Sequence, residues 1–477
     1  MSKRVAVSAL VASLILLGGG APADTSLKSN ETQASAQTRV LSVQQAIETA
    51  LRNNPGLQAS ARDVLKARGA VNESRAAFLP TLSADLSLTH LDQGVTAQLG
   101  PETSQSITIV KQDQKSATVT AALPLDVFGL IGSAASLSEY QYVIARLEYN
   151  RQRNQLVQDV TVAFYDALRA EAFVAVATQA ETNAQDRVRI SETHLKAGTG
   201  TKFDVVRAQA ELANARQSVV SARNRVALAH AALNRLLGLD QATPLKLEGG
   251  ISETPQRSAP DLDAALQEAY KARPEVLQAE TGIQAARKGY ALASRSQLPS
   301  VGLAWNLQYT PDTGAFGRKS SWAAVARASV PIFDAGVATA RRQQARASIE
   351  AAELGRQQAQ EGVALDVRQA LISYQDATDR LTVANAGLAQ AEEAYRLAQV
   401  RYQAGVTLVP GGSPLLEISD AQTALTQAQT NRINALYDIE TAFTRLMRAL
   451  GRYAYNGGAE PGLPKPPTSQ KHGANSK

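Results

Sequence analysis

Q-L-P-S-V-G-L-A-W-N-L-Q-Y (Gln297–Tyr309) carries two signals that belong to different elements. Leu298-Pro299 ends a helix, because proline has no N–H to donate and its ring clashes with the preceding turn. The period then changes. Val301, Leu303, Trp305, Leu307 and Tyr309 alternate with Gly302, Ala304, Asn306 and Gln308, which predicts a strand over 301–309 with one apolar face. An earlier stretch, F-L-P-T-L-S-A-D-L-S-L-T-H (Phe78–His90), has the same form. Leu79-Pro80 stops a helix. Leu82, Ala84, Leu86 and Leu88 then alternate with Ser83, Asp85, Ser87 and Thr89, which predicts a strand over 81–91.

Each strand has a return partner. Ala117, Val119, Ala121 and Leu123 share one face of a predicted strand 116–123. Trp322, Ala324, Ala326, Ala328 and Val330 do so in 321–330. Strands of about ten residues, apolar on one side only, suit a transmembrane barrel wall. An antiparallel sheet lying on helices accounts for the alternation equally well. Closure favours the membrane. Four strands cannot close, an open edge leaves backbone groups unpaired, and lipid does not tolerate that. Strands that span must therefore come from several copies. The smallest bacterial barrels have about 8, and three copies of this chain would supply twelve.

Outward from these stretches the whole chain is duplicated. Pro55, Pro80, Pro124 and Gly129 return as Pro274, Pro299, Pro331 and Gly336. Asp159-Val160, Ala197-Gly198, Ala208-Gln209, Arg235 and Gly238 return as Asp366-Val367, Ala404-Gly405, Ala421-Gln422, Arg448 and Gly451. Landmarks in constant order and nearly constant spacing define an internal repeat. The expected organisation is a signal peptide (1–23), a flexible linker (24–40), a first repeat (41–245, tip near 198–204), a linker (246–261), a second repeat (262–451, tip near 405–417) and a flexible tail (452–477). Each repeat reads helix, two strands, long helix, break, helix. The opening helices, about 41–79 and 262–298, each carry a proline near the first third.

Between Ser133 and Ala197 there is neither glycine nor proline. At about 1.5 Å per residue this is a rod approaching 100 Å, roughly three bilayer cores. The helix after each break carries a heptad seam. It runs Ala208, Leu212, Ala215, Val219, Ala222, Val226, Ala229, Leu233, Leu236, and again Ala421, Leu425, Ala428, Arg432, Ala435, Ile439, Ala442, Leu446, Ala449. Alanine at every second position lets helices approach closely. The composition agrees: 44% of the 477 residues are hydrophobic but only 5% aromatic, which suits thin helical layers better than a solid core.

The net charge of +6 is spread among interleaved acids and bases, so no nucleic-acid footprint is present. The absence of cysteine excludes disulfides, thiolate metal sites and a cysteine nucleophile. Lys3-Arg4, the apolar run Val5–Leu17 and Ala21-Pro22-Ala23 read as a secretory signal peptide cleaved after Ala23. No catalytic or metal constellation is evident: His90, His194, His230 and His472 are scattered, and no cofactor is expected. Gly314–Ser320 lacks the glycine spacing of a phosphate loop and reads as an exposed barrel loop.

The breaks are the candidate site. Thr201 and Asp204 form a capping-box pattern after Gly198. Ser413 and Pro414 suit the N-cap and first position of the helix after Gly405, which puts Glu417 in its first turn. Asp420 lies beyond the first turn, so capping does not account for it. It shares a face with Glu417.

The signal peptide, the repeat, the Leu-Pro strand starts, and the exits P-L-D-V-F-G (Pro124–Gly129) and P-I-F-D-A-G (Pro331–Gly336) resemble the outer-membrane efflux protein family. So do the Ala-Gly breaks followed by D/E-x-x-x-A-Q. These are trimeric channel-tunnels of Gram-negative bacteria. The resemblance covers nearly all of 41–451. It implies a mainly α fold with a β-barrel: long antiparallel coiled-coil hairpins and four strands per chain, assembling as a homotrimer into a 12-strand outer-membrane barrel and a periplasmic α-barrel. It implies a passive duct serving a periplasmic adaptor and an inner-membrane transporter of RND, ABC or MFS type, with outer-membrane lipid around the barrel. It places Asp204, Tyr402, Glu417 and Asp420 at the periplasmic gate, and Gly198 and Gly405 at adaptor-docking tips. Thr407 stands where the family often has arginine, and Val409–Gly412 is an inserted run. A duct for type I protein secretion and, from another class, a secreted coiled-coil structural protein are the alternative readings.

Overall fold

A computed structural model of the protein describes residues 39–98, 106–249, 258–311, 318–404, 406 and 414–452. The signal peptide, Gly405, Thr407, Val409–Gly412, Ser413, His472 and most of the Gly314–Ser320 loop lie outside them. The elements run β1 (Arg39–Leu41), α1 (Val43–Asn53), α2 (Pro55–Ala76), β2 (Thr81–His90), β3 (Val95–Gln98), β4 (Ser106–Val110), β5 (Asp113–Leu125), α3 (Leu130–Lys196), α4 (Lys202–Leu237) and β6 (Leu245–Leu247). The second repeat supplies α5 (Leu262–Ala272), α6 (Pro274–Arg295), β7 (Ser300–Tyr309), β8 (Ser320–Ser329), α7 (Val337–Ala404) and α8 (Pro414–Ala449).

The chain is mainly helical. α3 and α7 have 67 and 68 residues, each about 100 Å long, and each folds back as an antiparallel hairpin with a 36-residue partner. Every residue of both heptad seams is buried or half-buried. The hairpins meet through α3 and α8, while α7 and α4 make no comparable contact. Higher up, α2, α3, α6 and α7 lie side by side in that order.

Three expectations need correction. Pro55 and Pro274 do not lie within single opening helices. Each ends one helix and occupies the first position of the next, because that position needs no N–H partner. Arg39–Leu41 is a strand rather than linker, and it pairs in parallel with Leu245–Leu247 at the start of the inter-repeat segment. Arg452 does not belong to a loose tail, since its guanidinium meets Glu268 at 2.6 and 2.9 Å. A small β3–β4 hairpin on the first repeat was also absent from the sequence reading.

β2, β5, β7 and β8 form one antiparallel sheet in that order. Its register aligns the four apolar sets. Ala121 lies between Leu82 and Trp305, and Leu307 lies between Val119 and Trp322. All four sets therefore share one face. No helix covers it among the described residues: Leu82, Leu88 and Trp322 are 75%, 81% and 70% exposed. That removes the reading of a sheet packed on helices. Among the described residues no helix is long and apolar enough to cross a membrane.

Two cores hold the helices, one per repeat. Val64, Val160, Phe164, Leu233 and Leu237 are buried in the first. Val276, Val367, Ile439, Leu446 and Leu450 fill the second. They lie far from the hairpin tips, where a separate small cluster forms.

Candidate functional site at the hairpin tips

The first tip is a tight reversal. Gly198 adopts φ +74°, a left-handed conformation that glycine enters without strain. No atom stands where its Cβ would be, so backbone conformation rather than space selects glycine here. Thr199 and Gly200 both donate to the His194 carbonyl, at 2.9 and 3.0 Å, closing the end of α3. Thr201 then caps α4 and receives the Asp204 amide at 3.2 Å. The Asp204 carboxylate accepts from the Thr201 amide at 3.1 Å and from its hydroxyl at 2.6 Å. The capping box is complete, and it occupies Asp204.

Tyr402, near the end of α7, is buried, and its hydroxyl meets Ser191 Oγ of α3 at 3.0 Å rather than Asp204. Its ring lies 6.2 Å from that of His194. Burial pushes the phenol pKa up. The Ser191 bond and nearby Arg187 oppose this, while Asp204 and Glu211 add to it. The phenol is therefore a neutral hydrogen-bonding group across the physiological range. Tyr402 packs with Ala398, Leu415 and Ile418 in the tip cluster, flanked by Ile190 and Tyr395.

Glu417 lies in the first turn of α8, as the sequence indicated, and pairs with Arg401 at 3.6 Å. Asp420 is exposed, and no described residue pairs with it. The structure thus gives the four candidate gate residues separate surroundings. Asp204 caps, Tyr402 joins α7 to α3, Glu417 bridges α8 to α7, and Asp420 faces solvent.

Sequence reasoning missed a second set of links. Arg187, almost fully buried, lies 3.5 Å from Glu211, and Arg207 approaches the same carboxylate at 3.5 Å. Ser419 of α8 donates to Glu211 at 2.9 Å. Asn183 donates to the buried Gln422 at 2.8 Å. Farther up, Arg169 of α3 meets Asp438 of α8 at 3.1 Å. A signal for the first set existed in the repeat. Arg187, Ser191 and Glu211 answer to Ala394, Ala398 and Ala424, so polar groups replace alanine in one copy only. Two of the scattered histidines have acidic partners: His90 with Asp113 at 2.7 Å and His230 with Glu171 at 2.9 Å. Among the described residues no cluster is placed to hold a metal ion.

The long hairpins, the uncovered sheet and the paired tips define an outer-membrane channel of the efflux class. Residues 46–239 and 265–452 match the family described as outer membrane efflux protein, and the chain belongs to that family. It is 25% identical over 419 residues to the solvent efflux pump outer membrane protein SrpC of Pseudomonas putida, covering 85% of this chain and 84% of that one. It is 26% identical over 424 residues to the outer membrane protein OprJ of Pseudomonas aeruginosa, covering 85% and 83%. Its fold matches the outer membrane protein VceC of Vibrio cholerae with a TM-score of 0.70, over 86% of this chain and 96% of that one, at 19% identity. The protein is an outer-membrane efflux channel component and not an enzyme.

Proposed function

We propose that three copies assemble into a passive duct, with twelve strands closing a barrel in the outer membrane and the hairpins forming a hollow cylinder across the periplasm. The uncovered sheet carries this reading. One face is apolar and exposed, and among the described residues both outer strands, β2 and β8, have open edges. In hydrocarbon such edges must find partners, and only other copies supply them. Three sets of four strands fall within the range of bacterial barrels. The helices reach far enough to meet a periplasmic adaptor and an inner-membrane transporter of RND, ABC or MFS type, which supplies the energy.

In this assembly the tips point inward and form the gate. Glu417 and Asp420 of three copies place six carboxylates around one axis. Asp204 and Tyr402 hold the tips closed, the former by fixing the start of α4. Gly198 and Gly405 mark the tips where the adaptor docks. The cargo is set by the pump. A role as duct for type I protein secretion uses the same architecture.

Single-channel recording of the purified protein in planar bilayers tests both parts. A discrete conductance is expected. Glu417→Ala with Asp420→Ala should weaken block by multivalent cations at least tenfold. Unchanged block sinks the acidic ring, and absence of any conductance sinks the duct.

A further inference from the structure

We infer that a second copy of the chain docks along the outer faces of α7 and α4, in a register fixed by an ion pair between Asp376 of one copy and Arg225 of the next. This rests on the assembly proposed above and specifies its contact. The argument comes from the repeat. Within one chain, α3 of the first repeat packs against α8 of the second. Carrying that contact forward by one repeat turns α3 into α7 and α8 into the α4 of a neighbouring copy. Among the described residues α7 and α4 make no comparable contact, so the equivalent surface lacks its partner within the chain.

The exposure pattern supports this. Leu228 of α4 is 72% exposed, whereas its counterpart Thr441 in α8 is 6% exposed. Ile372 of α7 is 69% exposed, whereas its counterpart Tyr165 in α3 packs against the first core. Val383 on α7 and Val220 on α4 extend the same faces, 72% and 52% exposed. Faces that are covered inside the chain recur uncovered at its flanks, with aliphatic residues in place.

The polar positions set the register. In constant step from Ala197 and Ala404, Arg169 answers to Asp376; from Ala208 and Ala421, Asp438 answers to Arg225. The ion pair Arg169–Asp438 therefore returns with its charges exchanged. Arg169 and Asp376 each also have an oppositely charged neighbour on their own helix, at positions that do not match in the repeat. Arg169 is steadied by Asp166 one turn earlier, and Asp376 by Arg380 one turn later, at 2.6 Å. The amide pair Asn183–Gln422 answers to Gln390 and Gln209, again two groups able to bond. A slip of one helical turn would break both pairs at once.

The chain has no cysteine, so engineered thiols are the only ones present. Asp376→Cys with Arg225→Cys, in detergent-purified full-length protein, is treated with a short bis-thiol reagent and run on a denaturing gel. A ladder of covalent dimer and trimer is expected, and neither single variant should give one. Arg169→Cys with Asp438→Cys, the internal counterpart, should link within one chain and give no ladder. Native mass spectrometry of the untreated double variant separates the two levels of the argument. An oligomer that gives no ladder overturns the register while leaving the trimer intact. A monomer overturns both. In a second variant, Asp376→Arg should lower the temperature at which the oligomer dissociates, and adding Arg225→Asp should restore it. Failure of that rescue overturns the ion pair.

Discussion

The two repeats make the same joint with different chemistry. In each, a helix ends before a proline, and the last helix of the repeat ends on a left-handed glycine pressed against that point. A Cβ on Gly238 would lie 2.5 Å from the Asn53 carbonyl oxygen, and one on Gly451 would lie 2.8 Å from Ala272 Cβ. The first repeat closes the joint with a neutral side chain. Asn54 caps α2 through the Leu57 amide at 3.1 Å and donates to the Leu236 carbonyl at 3.0 Å. The second uses a buried cation. Arg273 meets Glu275 at 3.0 Å and Asp366 at 3.0 Å, and reaches the Arg448 carbonyl. Burial and the facing Arg273 push the Arg448 guanidinium pKa down. Backbone shape is what the duplication preserved, and the side chains that secure it diverged.

Gly238→Ala should show the largest effect, combining left-handed strain with a clash against backbone, at about 3 kcal/mol or more. Gly451→Ala meets a side-chain carbon first and should cost about 2 kcal/mol. Denaturant melts followed by circular dichroism measure both, and a reversed order would break the equivalence of the joints. Arg273→Leu strands two carboxylates, one of them half-exposed, and should cost about 2 kcal/mol. Asn54→Ala should cost about 1 kcal/mol. Equal losses would show that the charged version of the joint adds nothing. At the tips, Tyr402→Phe removes one buried hydrogen bond worth about 1 kcal/mol and should raise the open fraction of reconstituted channels several-fold. Leu195→Ala, at the equivalent place in the first repeat, should leave it unchanged. Equal effects would erase the asymmetry of the tips.

The smallest expected effect concerns pH. Arg452 holds the Glu268 carboxyl below its ordinary range. A depressed carboxylate stabilises the fold above its unfolded pKa of about 4.3, and that contribution disappears as pH falls through the folded value. Solvent screening limits it to a few tenths of a kcal/mol. Melts at pH 7 and pH 3 should therefore differ slightly less in Arg452→Ala than in the parent, and a larger difference in the variant would contradict the pairing.

The parts legible in the sequence were those written as periodicity. Alternation located all four strands of the main sheet within a few residues. The glycine- and proline-free run gave α3, and the heptads gave the seams. The parts that stayed hidden depend on distant segments meeting. Arg39–Leu41 is too short to show a period, and becomes a strand only because Leu245–Leu247 lies beside it. The Ser191–Tyr402 and Glu211–Ser419 links join residues some two hundred positions apart, with no local pattern to betray them. Asp204 shows the reverse case. Its local capping signal was plain, and local geometry claims the side chain.

The two outer strands of the sheet belong to different repeats, β2 to the first and β8 to the second, and among the described residues nothing in the same chain completes their hydrogen-bond ladders. Each unpaired backbone group carried into hydrocarbon costs several kcal/mol, so a lone copy has no stable resting place there. In the trimer proposed above, membrane insertion would be a many-body event whose rate rises steeply with subunit supply. On that proposal, a cell that halves expression of the chain would lose more than half of its finished channels, and a copy damaged at either edge would spoil the sound copies that close around it.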